Sequence, residues 1–195
     1  MAYASTADLK VYRGIATAST KDDTLIGTLL GAAQKQIETY CGRVFEASTT
    51  AVTKYFDAIR DITDDGMTLL LDEDLASITA IENGDGVAVT SSDYVTEPRN
   101  RTPYYGIRLK MGASQMWTFE DSSENAIEVK GRWAYSTSAP ADIKQATIRL
   151  AAYLYAQKDS QVFDVTAFPD AGMMTIPKGM PEDVKQILDP YRRVR

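Results

Sequence analysis

Apolar residues recur with the helical period in two long segments of this chain, 20–42 and 140–159, and with a period of two in the stretch between them. That change of period fixes the class. Helices at both ends and strands in the middle give an α+β fold. We expect a helical framework of two long helices plus short N- and C-terminal helices, with an antiparallel β-meander inserted into it. At 195 residues the chain has the length of one domain carrying a sizeable insertion. Its parts are then an N-terminal helical part at 1–45, an inserted β region at 46–139, and C-terminal helices, loop and tail at 140–195.

Local signals place the elements. Ser5 and Asp8 have the capping-box spacing, and Leu9, Tyr12 and Gly14 outline a short entry helix. Thr20 and Asp23 repeat that spacing before a long helix that Gly42 is suited to end. On this helix Leu25, Ile26, Leu29, Leu30, Ala33, Ile37, Tyr40 and Cys41 share an arc of roughly 160°, with only Gln36 polar inside it. The arc reads as core or interface, and Cys41 as a small buried hydrophobe. Strands are predicted at 51–56, 67–71, 75–82, 87–96 and 106–111, with 83–86 as a hairpin turn. The clearest is 127–135, where Ile127, Val129, Gly131, Trp133 and Tyr135 alternate with Glu128, Lys130 and Arg132.

Pro140 and Asp142 open the second long helix. Its inner stripe is Ile143, Ala146, Leu150 and Leu154, while Ile148, Ala152 and Tyr155 form a strip on the opposite side. A helix apolar on two sides is buried on two sides. A domain of this size rarely covers both, so Ile148, Ala152 and Tyr155 are assigned to contact with a neighbouring subunit. From Gln161 to Gly179 no period survives and a long functional loop is expected. Pro181, Glu182 and Asp183 then begin a short helix with the stripe Val184, Ile187, Leu188 and a stop at Pro190.

The chain has no histidine and one cysteine. This excludes Ser-His-Asp and Cys-His catalysis, an HExxH zinc helix and an internal disulfide. No phosphate-binding glycine motif is present. Residues 57–74 hold seven acids and one base, but their spacing matches no EF-hand, and the run reads as a solvated acidic turn. We therefore expect no catalytic residue, no metal and no cofactor. The first residues carry no cationic and apolar leader, and no apolar run approaches the ~18–20 residues that span a bilayer. A chain kept in a reducing cytoplasm, with no membrane partner, is expected.

The net charge of −6 argues against a surface made to coat nucleic acid. The exception is local. Lys185 to Arg195 holds four bases and one acid. This segment is either a frayed, solvated tail or a docking peptide, with Tyr191 as anchor and arginines meeting carboxylates or phosphates of a partner. Two other functions remain open at this point: a small nucleic-acid-binding protein stacking Tyr191 on a base, and a hydrolase using two converging acids.

Three stretches then stand out together. The first is Asp22, Asp23, Leu25, Ile26, Leu29, Leu30, Ala32, Ala33, Ile37, Glu38, Tyr40, Cys41, Gly42, Arg43 and Phe45. The second is Pro140, Asp142, Ile143, Lys144, Gln145 and Ala146. The third is Pro181, Glu182, Asp183, Val184, Ile187, Leu188, Pro190, Tyr191, Arg192 and Arg193. In this order they resemble the head-tail connector (adaptor) proteins of long-tailed bacteriophages and prophages. The likeness is to the longer members, in which a β region is inserted between the helices.

The resemblance implies a structural, non-enzymatic subunit of the virion, assembled in the host cytoplasm. It implies a ring, generally of twelve copies, beneath the portal protein and against a tail or stopper protein. DNA would pass through the channel without sequence-specific binding. It also implies that the C-terminal segment reaches the portal, which gives Tyr191, Arg192, Arg193 and Arg195 a docking role. An acidic subunit suits such a channel, because a basic lining would hold phosphates through counterion release. The apolar loop at 161–179 suits an element that orders on assembly.

Overall fold

Helix-ending glycines and one long bent strand account for most of the architecture. The chain forms two compact units, one of Met1–Gly42 with Pro140–Arg195 and one of Arg43–Ala139. The computed structural model describes residues 3–158, 165–168, 172–175 and 179–193. The first unit is chiefly helical and the second is built on an antiparallel sheet, so the class is α+β as the sequence indicates.

In the helical unit, α1 spans Thr6–Arg13, α2 Asp23–Cys41, α3 Ala141–Ala156 and α4 Glu182–Leu188. The capping box of α1 forms as its spacing predicts. The Asp8 N–H donates to Ser5 Oγ at 3.2 Å, and the Ser5 N–H donates to Asp8 Oδ2 at 2.8 Å. Gly14 and Gly42 each close a helix at φ 67°, in the left-handed region that glycine enters without steric cost. Thr20 does not cap α2. The N-cap is Asp22, without a side-chain bond to the helix backbone. Its carboxylate accepts instead from the Tyr155 hydroxyl at 2.6 Å and from Lys158 Nζ at 3.0 Å. Lys10 is buried as well, paired with Asp23 and donating to the Thr17 carbonyl at 3.3 Å, which ties α1 to the start of α2.

The buried stripe of α2 is Ile26, Leu30, Ala33, Ile37 and Cys41, narrower than the predicted arc, since Leu25 is exposed and Tyr40 half-buried. On α3, Ile143, Ala146 and Leu150 are fully buried. Ile148 and Ala152 are also covered, at 7% and 5% exposure. Helices α1, α2 and α4 all pack on α3, so one chain covers both of its apolar sides. A helical wheel of α3 alone cannot show that α1 and α4 return to it. Within 161–179, where the sequence suggested no regular structure, β6 (Val165–Phe168) and β7 (Gly172–Thr175) pair antiparallel. Runs of four residues are too short to display a period. Among the described residues no helix is long and apolar enough to cross a membrane.

The other unit contains β1 (Val52–Phe56), β2 (Thr68–Glu82), β3 (Tyr94–Glu97), β4 (Tyr104–Leu109) and β5 (Ile127–Trp133). Their order in the sheet is β1-β5-β2-β4-β3. This corrects the expected meander, and the reason lies in β2. The segments predicted as two strands, 67–71 and 75–82, are one strand of 15 residues. Its first part pairs with β4 and its second with β5, with register shifts between Leu70 and Leu75, Leu75 and Ser77, and Ile78 and Ala80. A bulged strand bends, and so it serves different neighbours along its length. Leu69, Leu75, Ile107, Leu109, Ile127 and Val129 form the centre of the core. The turn at 83–86 forms, with the Gly86 N–H donating to the Asn83 carbonyl at 2.9 Å. Of the strand predicted at 87–96, Ala88 bridges Glu82 and the Val89 N–H donates to the Ile81 carbonyl at 2.9 Å, while Tyr94–Glu97 becomes β3 and pairs with β4.

Candidate functional site

The basic C-terminal segment is laid back on its own unit by a series of short contacts. Pro181 precedes α4, whose Val184 and Leu188 are buried, and a 3-10 turn at Asp189–Tyr191 follows. The Tyr40 hydroxyl donates to Asp189 Oδ1 at 2.6 Å, and the Arg192 guanidinium lies 5.2 Å from the Tyr40 ring. The Tyr191 hydroxyl donates to Asp142 Oδ2 at 2.5 Å, in the first turn of α3. The Arg193 N–H donates to the Cys41 carbonyl at 2.9 Å. That carbonyl is one of those a helix end leaves without an intrahelical partner. The Cys41 thiol is buried, 3.8 Å from the Leu188 carbonyl. Bonding to the Asp189 carboxylate raises the Tyr40 phenol above its usual range, because losing the proton would set two anions side by side.

Tyr191, Arg192 and Arg193 are thus brought together beside the end of α2 and the start of α3. Arg195 lies outside the described residues. Through Arg193 the segment is a folded element rather than a frayed end. Its charge is legible in the sequence, but neither Tyr40 nor Asp142 is recognisable there as its seat.

Of the strip Ile148, Ala152, Tyr155, the first two each line a groove. Ile148 lines one of about 430 Å³ with Asp8, Val11, Tyr12 and Lys144. Ala152 lines one of about 290 Å³ with Tyr12, Arg13, Tyr153 and Asp183. Val11 and Tyr12 are exposed, although neither stood out in the sequence as a surface residue. The half-buried Tyr155 ring has the Lys158 ammonium 4.6 Å and the Arg13 guanidinium 5.8 Å from its centre.

Asp8 borders the first groove. Its carboxyl is lowered from 3.8 to about 2, first by the Ser5 hydroxyl, then by the Ser5 N–H and by Lys144 at 2.9 Å. A carboxyl more acidic in the folded chain favours folding above its ordinary value, and that contribution is lost as pH falls through the folded value. The urea midpoint of the wild-type chain is therefore expected to fall between pH 5 and pH 2 more than that of Asp8→Asn. Parallel pH curves for the two would show that the Ser5 and Lys144 contacts do not form.

The acids of 57–74 are not a uniformly solvated run. Asp57 accepts from the Asn125 N–H at 2.9 Å, Asp61 from the Asp57 N–H at 2.8 Å, and Asp65 from the Met67 N–H at 3.0 Å. Asp74 is 7% exposed and faces Arg43 at 3.5 Å. They fix turns and one buried ion pair. Among the described residues no group of three or more metal-ligating side chains is found.

A family model described as "Head completion protein" matches residues 3–194. The chain belongs to the head completion protein family. Membership makes it a structural component of the head-tail region of a virion. Two solved structures share the fold of this head completion protein. A chain of "Neck of empty GTA particle computed with C6 symmetry" is 18% identical, with 97% of this chain and 89% of that chain covered and a TM-score of 0.56. A chain of "Virion of native gene transfer agent (GTA) particle" is 22% identical, with 93% and 84% covered and a TM-score of 0.52. At such identities the likeness is one of fold. No curated protein matches.

Proposed function

We propose that this head completion protein is a head-tail connector subunit that makes and breaks no covalent bonds. Copies form a ring beneath the portal and above a tail or stopper protein, joining capsid to tail around a channel for DNA. The observation that carries this reading is the C-terminal segment, a basic element seated by Tyr191, Arg192 and Arg193 at one end of the helical unit. Asp189, Pro190 and Arg192 stay exposed there, so a partner can reach the element without unfolding α4. Tyr191, Arg192, Arg193 and Arg195 are its portal-docking residues.

The relatives in fold come from a neck and a virion. A ring of twelve is compatible with the C6 symmetry of the first of those particles, at two copies per repeat. Head-to-tail contacts repeated around an axis close into such a ring. Ile148 and Ala152 have little surface left to offer, so contact along their strip works through the grooves, where Val11 and Tyr12 meet the neighbour, and through Tyr155. Charge is divided unevenly. Residues 43–139 hold nine bases and sixteen acids, which leaves a sum of +1 for the rest of the chain. An acidic β unit suits a passage that must not retain phosphates.

Removal of residues 190–195 tests the assignment. Val184 and Leu188 remain to hold α4, so the truncated chain is expected to keep its thermal midpoint within a few degrees. It is expected to stop co-sedimenting with purified portal rings. Unchanged co-sedimentation would end the docking assignment. DNA retardation by the full chain that persists at moderate salt would favour a nucleic-acid-binding role instead.

A further inference from the structure

The two most exposed large apolar side chains of the β unit stand on one loop, beside a second loop that carries another. Met111 is 95% and Met116 71% exposed, and Val87 and Phe119 are exposed too. Such residues on a slack loop would mean little, but around Met116 the backbone is pinned. The buried Asn83 donates its Nδ2 to the Met116 carbonyl at 2.8 Å, and its Oδ1 accepts from the Thr118 and Gly84 N–H groups, both at 3.1 Å. Buried Trp117 donates its Nε1 to the Met67 carbonyl at 3.0 Å, and Gln115 Nε2 reaches the Ala88 carbonyl at 3.3 Å. The loops approach so closely at Gly84 that a Cβ there would stand 2.4 Å from the Thr118 carbonyl oxygen. Asn83 and Trp117 point inward, while Met116 and Phe119 are left to the solvent on either side of Trp117.

A loop whose backbone is already fixed has less ordering left to do when it is covered, and methionine adapts to the shape it meets. The rim says what covers it. Residues 83–89 and 111–124 contain Asp85, Glu120, Asp121 and Glu124, and the neighbouring base, Lys110, is turned to the Ser92 carbonyl at 2.6 Å. The β unit as a whole sums to −7, so the same unit of a second copy would be repelled.

We propose that these loops are a docking knob, whose partner is a different protein of the particle neck presenting an apolar pocket rimmed by lysine and arginine. The inference rests on the neck reading for the place of the partner, and on these loops for its chemistry. It is independent of the C-terminal segment.

Brief peroxide treatment of the free chain and of purified particles, with peptide mass spectrometry, measures how exposed each methionine is. Met111 and Met116 are expected to oxidise several-fold more slowly in particles. A photo-crosslinking residue at position 116 is expected to capture a peptide of another neck protein that carries apolar residues with lysine or arginine. Met116→Glu with Met111→Glu should leave the melting curve of the free chain unchanged and reduce its incorporation. Equal oxidation in both states, or a cross-link to a second copy, overturns the knob while the neck reading stands. Absence of the chain from particles overturns the neck reading itself, and this proposal with it.

Discussion

Gly131→Ala is expected to lower the unfolding free energy of the chain by about 3 kcal/mol or more, at the upper end of overpacking effects. An added Cβ would stand 2.4 Å from the Ser77 carbonyl oxygen and 2.7 Å from Leu75 Cδ1. The leucine end can rotate away, but the carbonyl cannot. It belongs to the stretch of β2 whose register against β5 shifts between Leu75 and Ser77 and again between Ile78 and Ala80. To admit one methyl group, either the strands part or the bulge moves, and Leu75 and Val129 of the core move with them. Strand entropy alone favours alanine over glycine by roughly 0.5–1 kcal/mol, so the clash decides the sign. Gly31→Ala is the control. In α2 the same added atom meets nothing within 4 Å, and the helix is expected to gain about 0.8–1 kcal/mol. Urea unfolding at neutral pH separates the two, provided the slope stays constant. A midpoint for Gly131→Ala at or above wild type would show that β2 does not press on β5 at this point.

That glycine also marks the limit of what is legible in the sequence. The alternation from Ile127 to Trp133 gave strand β5 and its buried face, but not the reason for a glycine at 131. The reason is a bulge in another strand. The local signals were readable because their partners lie within one turn: Ser5 with Asp8, Gly14 and Gly42 at helix ends, Pro140 and Asp142 at the start of α3. Where the partner is distant, pattern fails. Asp72, Glu73 and Asp74 read as a polar break between two strands, whereas they lie in a single strand at its bend. Ile148 and Ala152 read as surplus apolar surface because the packing of α1 and α4 on α3 leaves no mark on the wheel of α3. The C-terminal charge was plain, yet its seat on Tyr40 and Asp142 joins three separate segments. Met111 and Met116 drew no attention, since hydropathy records that a side chain is apolar and not that it is exposed, nor that Asn83 holds the backbone at Met116.

Asp74→Ala is expected to cost about 3–5 kcal/mol, the loss found when one member of a buried ion pair is removed. The Asp74 side chain is 7% and the Arg43 side chain 16% exposed, with Nε and Oδ2 3.5 Å apart. The guanidinium also lies 5.4 Å from the centre of the Tyr135 ring, which in turn meets Phe45 at 5.7 Å. Without the carboxylate, the cation keeps the ring but loses its counter-charge in a place that water scarcely reaches. Removing both charges has a different consequence. Arg43→Met with Asp74→Leu leaves no uncompensated charge of this pair behind, and part of the single-variant loss is expected to return, so the two changes are not additive. The exposed pairs of the same acidic stretch give the contrast. Arg60, its side chain 79% exposed, reaches Asp57 at 3.5 Å and Asp61 at 3.2 Å. Arg60→Ala should change the urea midpoint little, and raising the salt should erase even that. The Asp74→Ala loss should survive the same salt, because a buried pair is poorly screened. If both Arg43→Met and Asp74→Ala prove mild and salt-sensitive, water reaches the pair. Arg43 and Phe45, which belong to the stretch that resembles the connectors, would then owe their place to something other than the packing of the β unit.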